Sequence, residues 1–421
     1  GHPLEAGASW TYPGTSLARL AKQYGVNTVR SIFRDFQTLG LYNSSGAVVN
    51  PLLEELLNDN YKRTFVKFAA GMAGDNVSIQ DILDAYFESP ECDAVGEDCT
   101  NESEPHRQVI NAMAERIMGA EYAASLDNLE SEGPIFLLGR GSGIGAPATR
   151  VNNVDYTAIP GGGYKSIIDG FVAENSLIDK IKLNRRVATI DQSDGDKVVV
   201  TAETSGGAEY YSAAAVVVTV SLGILKAKGI AFDPQLSSAK QDAIANLGMG
   251  TLNKVFLYWE SEPAVWPGKE VVDLVLITDE DETSGELTYC FNEQSQPGNE
   301  NYFTFLCWTS GDVANELEES KSDVELKNMA LANLRIMLGN DLPDPHDYYV
   351  TRWNSFEFTK GSYSYPPVGI NVPALREELA RPEGRVFFAG EATMVEDYGT
   401  SYGAYESGAE VAFQLRRSGL Y

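Results

Sequence analysis

The sequence predicts a mixed α/β protein of two interleaved domains, and three observations support that. The chain has 421 residues, more than one small hydrophobic core organises. Strand-turn-helix texture recurs at the start, in the middle and at the end, separated by a helical block and a second set of strands. The last of these units, RVFFAGEATMVEDYGTSYGAYESGAEVA over 385–412, runs from a short apolar strand through Gly390-Glu391 and a loop into a helix.

The elements follow in order. PLEAGASW reads as a strand end and a tight turn, and Leu17 to Tyr24 has helical spacing with Thr15 or Ser16 as N-cap. From Pro51 to Leu126 the pattern is mostly helical. Leu52, Leu53, Leu56 and Leu57 make one apolar face, and Ile79, Ile82, Leu83, Tyr86 and Phe87 another; the loop Glu88 to Pro105 interrupts the block. Ile178 to Ile190, Lys197 to Thr204 and Ala208 to Val220 read as strands separated by the turns SDGD and SGG. A helix is expected from Ser237 to Leu247, a strand from Leu252 to Trp259, further strands to Trp308, and an amphipathic helix from Asp323 to Leu338. Arg385 to Ala389 then forms a short buried strand and Thr400 to Arg416 a helix.

The formal charge of −28 excludes nucleic acid as a partner, because phosphate binding needs a basic face. It suits a cationic small molecule, although acidity also serves solubility alone. No apolar run of 18 residues occurs, so no membrane span is expected. The histidines His2, His106 and His346 are isolated and no C-x-x-C occurs, so no metal site is expected. Cys92 and Cys99 bracket an acidic loop, while Cys290 and Cys307 lie in LTYCF and YFTFLCW, two strand-like runs that can pair as a hairpin. With the sequons at Asn43, Asn76 and Asn101, these two cysteine pairs point to a secretory route, with a cytoplasmic protein as the alternative.

The chemistry concentrates in the C-terminal unit. Gly403, Ala404, Ser407 and Gly408 put small residues on one helix face, where another backbone or a ligand can approach closely. The same residues also serve ordinary helix-sheet packing. The amino end of that helix offers free N–H groups and a partial positive charge, and Glu391 at a strand's carboxyl end can accept from a sugar hydroxyl.

This stretch resembles the closing motif of the flavin-containing amine oxidases, the family of polyamine oxidases, monoamine oxidases and histone lysine demethylases. Five more segments match in the family's order: GASW at Gly7 to Trp10, IPGGGYKSIIDGF at Ile159 to Phe171, LNRRVATI with VVVTVSLGILK, GMGTLNKVFLYW, and RWNSFEFTKGSYS. Together they span residues 4–412. The resemblance implies a Rossmann-like FAD-binding domain from residues 1–14, 150–235 and 360–421. It implies a substrate domain with a mixed sheet and helices from 15–149 and 236–359. It implies FAD as cofactor, with an amine and O2 as substrates. Lys254 matches the lysine that holds a water near flavin N5, although a lysine on a solvated strand face gives the same local pattern. Gly7, Ser9 and Trp10 match the segment after the N-terminal flavin motifs. Val187 matches the residue whose backbone meets the adenine, and Thr219 and Val220 a stretch beside the flavin. Gly390 and Glu391 match the turn at the ribityl or ribose. Gly399, Thr400 and Ser401 match the helix start at the pyrimidine edge. Tyr363 and Trp353 are the aromatic wall of the substrate channel, or core packing.

The family opens with a strand, G-x-G-x-x-G and a helix that hold the pyrophosphate, and no such unit precedes Gly1. The expectation is a fragment that lacks the first βαβ unit. Gly141 to Ala146 fits G-x-G-x-x-A, but Pro147 follows at once, so the segment reads as a surface loop. After GASW some polyamine oxidases place a histidine where Thr11-Tyr12-Pro13 stands here, which weighs against a polyamine among the candidate amines. The leading reading is therefore FAD-dependent oxidation of an amine to an imine with production of H2O2. The alternatives are a binding or scaffold protein on an inactive oxidase fold, and an L-amino acid oxidase, which needs an arginine for the substrate carboxylate.

Overall fold

The computed structural model describes residues 6–8, 10–11, 14–26, 29–30, 39–49, 68–74, 76–93, 105–131, 157–158, 163–278, 286–296, 299 and 301–420. Its largest sheet has six strands, in the order Asp347–Val350, Leu252–Trp259, Phe303–Ser310, Tyr289–Asn292, Asp273–Leu276 and Leu39–Tyr42. All neighbours are antiparallel except the last pair, which runs parallel.

Strand alternation gives this sheet two buried faces. Phe256, Leu306 and Phe291 lie in one cross-strand row and pack on the helical block through Ile79, Ile82, Leu83, Ile117 and Met118. Val255, Cys307 and Cys290 lie in the adjacent row and pack on Leu326, Leu331 and Leu334 of the helix Asp323–Leu338. Both covering helices start with a capping box: Ser78 with Asp81, and Ser322 with Glu325. Each apolar side chain buried fully between these layers contributes about 1.5–3 kcal/mol. The hairpin expected of the cysteine strands forms, and Cys290 and Cys307 are joined in register by a disulfide. Cys92 is also disulfide-bonded and buried, whereas its expected partner Cys99 lies outside the described residues.

A second assembly is built around two parallel strands, Val216–Val218 and Val386–Phe388. Beside it stands a four-stranded sheet in the order Gly207–Ala213, Val198–Thr204, Arg186–Asp191 and Ala231–Asp233. Two expectations change here. The run Ile178 to Ile190 is not one strand: Ile178–Lys180 is a 3-10 turn and the strand begins at Arg186. Ile178, Ile181 and Leu183 face solvent, so nothing rewards their apolar pattern with pairing. The run Ala208 to Val220 breaks after Ala213, and its two halves join different sheets. Helices Ser16–Gln23, Ser238–Asn246 and Ser401–Ser418 form as expected, with Thr15, Ser237 and Thr400 as N-caps. The leucine face at 52–57, the decoy at 141–146 and the glycines at 161–162 lie outside the described residues.

Lys240 is fully buried. Its Nζ donates to Glu378 O at 2.6 Å, to Leu379 O at 2.9 Å and to Arg381 O, which satisfies the carbonyl end of the helix Val372–Ala380. Lys240→Met keeps the stem and removes the donor. Denaturant unfolding should show a loss of about 2–4 kcal/mol, because buried acceptors are left without partners.

The helix beginning at Pro105 continues through a π turn, Glu115–Gly119, to Tyr122. A Cβ at Gly119 would come 2.9 Å from Glu115 Oε2 and 3.0 Å from Ser310 Oγ. Burial, and then the charge of Asp127, push the Glu115 carboxyl up to about 7 from an ordinary 4.5. The folded state therefore holds this proton where the unfolded chain has released it. Stability from this group is full below pH 4.5 and is lost as pH rises toward 7. Glu115→Gln should remove that slope and raise stability at pH 8 by on the order of 3 kcal/mol at most. Thermal midpoints measured from pH 4.5 to 8 check this, and parallel profiles for wild type and variant would contradict it.

Candidate active site

The parallel pairing of Val216–Val218 with Val386–Phe388 decides where the site lies. Both strands point the same way, and Ala389 N donates to Val218 O at 3.0 Å. Thr219 and Val220 therefore leave one carboxyl end beside Gly390 and Glu391 leaving the other, the position at which open α/β sheets bind ligands. Gly390 has φ +138°, a conformation side-chain-bearing residues rarely adopt, and nothing lies within 4 Å of where a Cβ would stand. Its N–H donates to Ser407 Oγ at 2.8 Å, which fixes the turn to the helix Ser401–Ser418.

The Glu391 carboxylate gathers three donors from two segments. Oε1 accepts from Ser364 N at 3.0 Å; Oε2 accepts from Ser364 Oγ at 2.6 Å and from Gly399 N at 2.6 Å. Ser364 belongs to the strand Tyr363–Tyr365, which pairs with Gly248–Gly250. Gly399 stands directly before the N-cap Thr400, whose Oγ1 accepts from Gly403 N at 3.0 Å.

Gly248–Gly250 leads into the strand of Lys254. Lys254 is 6% exposed and shares its sheet face with Phe256, while Val255 turns to the other core. A solvated strand-face lysine is therefore excluded. Its Nζ donates to Gly7 O at 2.5 Å, and its strand register sets it opposite Trp308. The adjacent Asn253 organises the loop that follows the edge strand: its Oδ1 accepts from Trp353 N at 3.0 Å, and its Nδ2 donates to Glu318 Oε2 at 2.6 Å. That loop is clamped in turn to the end of the Val216–Val220 segment. Ser221 Oγ donates to Thr359 O, and a Cβ on Gly223 would meet Lys360 O at 2.1 Å.

Hydrogen bonds and strand pairs thus link Lys254, Gly7, Trp353, Tyr363, Thr219, Val220, Gly390, Glu391, Gly399, Thr400 and Ser401 into one connected region. Trp10 lies in the short strand Trp10–Thr11, paired with Thr157–Ala158. Ser9 lies outside the described residues. Val187 is in the strand Arg186–Asp191, at a register shift opposite Ala202.

The sequence singles out Tyr363, but not Glu121, Ser364, Arg376, Tyr398 and Tyr402. Tyr363 is raised far above the ordinary phenol range by burial, with Glu121 and Glu391 adding to the effect, so it stays a neutral phenol. Burial also raises Tyr402, and Asp397 and Glu121 act in the same direction. Tyr398 is pushed up to about 12 by burial. Glu121, Tyr398 and Tyr402 sit in helical or loop text where tyrosines and glutamates read as surface. Arg376 and Ser364 complete the surroundings of Glu391.

Comparison with known proteins gives the family and the fold. Residues 1–415 match the family model described as flavin containing amine oxidoreductase. The probable polyamine oxidase 4 of Arabidopsis thaliana is 28% identical over 434 residues, 99% of this chain and 78% of that protein. Polyamine oxidase 2 of the same plant is 34% identical over 259 residues, 61% of this chain and 49% of that protein. Among solved structures, wild-type putrescine oxidase bound to putrescine superposes with a TM-score of 0.70 at 18% identity, covering 98% of this chain and 88% of that one. The chain belongs to the flavin-containing amine oxidoreductase family.

Proposed function

We propose that the chain oxidises a primary or secondary amine, polyamines included, using FAD bound between the Lys254 strand and the amino end of the helix Ser401–Ser418. The observation that carries this reading is Lys254 itself. It is a lysine on a buried sheet face, with its Nζ on the Gly7 carbonyl, in the strand that follows Gly248–Gly250, whose pairing partner carries the Ser364 donors to Glu391. The residues present fit the cofactor. Gly390 leaves space where a side chain would intrude, Glu391 offers acceptor oxygens for a ribityl or ribose hydroxyl, and the helix start gives partial positive charge to an electron-rich pyrimidine edge. Val187 is assigned to the adenine, Thr219 and Val220 to the flavin face, and Gly7, Ser9 and Trp10 to the cofactor-binding segment that follows the family's N-terminal flavin motifs.

Bound FAD would take a hydride from the amine α-carbon and be restored by O2, yielding an imine and H2O2. The chain's part is placement and electrostatics. Trp353 and Tyr363 wall the channel, and the neutral phenol of Tyr363 presents no competing anion. Glu121 supplies negative potential near Tyr363 and Tyr402, which favours a cationic amine, as does the net charge of −28. With the cofactor bound, Lys254 would hold a water at the flavin. A substrate carboxylate has no comparable partner in Arg376, which is fully buried with Nη1 on Ser364 Oγ and Ala392 O. The site is read as lying between a flavin domain of residues 1–14, 150–235 and 360–421 and a substrate domain of 15–149 and 236–359. The Cys290–Cys307 bridge and the bonded Cys92 support a secretory route.

Lys254→Met keeps the stem and removes the charge. FAD should remain bound, while flavin reduction by amine or reoxidation by O2 should slow by a factor on the order of 10–1,000 in stopped flow. Wild-type rates in both half-reactions would make Lys254 a structural residue.

A further inference from the structure

Arg376 is the largest fully buried side chain among the described residues, and the catalytic reading gives it no task. It lies in the helix Val372–Ala380, whose start is set by the Asn371 cap, and it points inward with Val372 and Leu379. A buried guanidinium costs several kcal/mol unless it is matched by charge and hydrogen bonds. Burial accordingly lowers its pKa, and Glu391, Tyr398 and Glu130 oppose that shift. Nε and Nη2 meet no acceptor among the described residues, so packing and backbone satisfaction alone do not account for an arginine here.

Its contacts share one feature. Nη1 donates to Ser364 Oγ at 2.9 Å, and that hydroxyl donates to Glu391 Oε2 at 2.6 Å. The same Nη1 donates at 3.0 Å to the carbonyl of Ala392, the residue after Glu391. The guanidinium carbon lies 4.0 Å from the ring centroid of Tyr398, the residue before Gly399, whose N–H is the other donor to Oε2. Arg376 therefore touches the hydroxyl donor to Glu391, the chain just after Glu391 and the residue preceding its amide donor. A hydroxyl has one proton to give. With Arg376 occupying a lone pair of Ser364 Oγ, that proton is directed at Glu391.

We propose that Arg376 is a positioning residue that acts through Ser364 to fix the Glu391 carboxylate in the orientation that receives the cofactor's sugar hydroxyl. The inference rests on the assignment of Glu391 to FAD. It adds that the cofactor affinity of this carboxylate depends on a cation one hydroxyl away. Arg376 touches no reacting atom; its effect passes through Ser364 and the Gly399 turn.

The test is a set of FAD dissociation constants, from titrating FAD-stripped protein and following flavin absorbance, for single and paired variants. Glu391→Gln should weaken FAD roughly 10–100-fold, the range for a buried hydrogen bond to a charged group. Arg376→Met should weaken it roughly 5–50-fold and Ser364→Ala roughly 3–10-fold, with Arg376→Lys recovering part of the loss. The pair Arg376→Met with Glu391→Gln should lose no more than Glu391→Gln alone, within about threefold, because both act on one contact. Losses that multiply would overturn the proposal and make Arg376 a packing residue. Unchanged affinity in Arg376→Met or in Ser364→Ala would overturn it while leaving Glu391 at the cofactor. Unchanged affinity in Glu391→Gln would overturn both. Ser364→Ala leaves Arg376 and its Ala392 contact in place, so it decides the question alone if Arg376→Met does not fold.

Discussion

The Glu391 carboxylate is the joint between the two sheet systems. Three donors from two segments converge on it, and the strand that supplies two of them is paired to the chain leading into Lys254. A carboxylate with its lone pairs held by N–H and O–H groups has little freedom to reorient. That fixity sets the distance between the C-terminal turn and the lysine strand before any ligand arrives. Buried charge is expensive where no chemistry requires it. This region nonetheless buries Lys254 and Arg376, with Glu391 and the neutral phenols of Tyr363 and Tyr398 partly buried beside them.

The six-stranded sheet makes this arrangement affordable in structural terms. Its two faces are covered by separate cores, so the strand Leu252–Trp259 has no solvent side over most of its length. Lys254 interrupts the apolar row between Leu252 and Phe256, and its Nζ donates to the Gly7 carbonyl. Asn253 uses the opposite face to tie down the Trp353 loop through Glu318. One dipeptide thus anchors a cation on one side and an aromatic loop on the other, which is a direct use of period-two alternation.

Much of this was legible in the sequence, and the failures have physical reasons. Lys254 stood out because a lysine interrupts an apolar strand, and Glu391 because it follows a strand and precedes a glycine-rich helix start. The helix Asp323–Leu338 was readable to the residue, since Ser322 and Glu325 form a capping box and Gly339 follows. Ile178 to Leu183 was misread because exposed apolar residues carry the same letters as buried ones. The split of Ala208 to Val220 was hidden because which sheet a strand joins depends on partners far away, here Val386–Phe388. Arg376 was invisible for a related reason. In VPALREELA an arginine between Leu375 and Glu377 reads as the solvated side of an amphipathic helix, and only the tertiary fold turns it inward. Residues defined by spacing were found; residues defined by a contact across the fold were not.

The central claim is that the lysine strand and the glutamate turn face one cofactor. Hydrogen–deuterium exchange of the protein with and without bound FAD tests it most directly, because amide protection reports each segment separately. The account predicts that FAD slows exchange together at residues 248–254, at 363–364 and at 390–403. Protection confined to the C-terminal segment, with 248–254 exchanging as in the FAD-free protein, would contradict it.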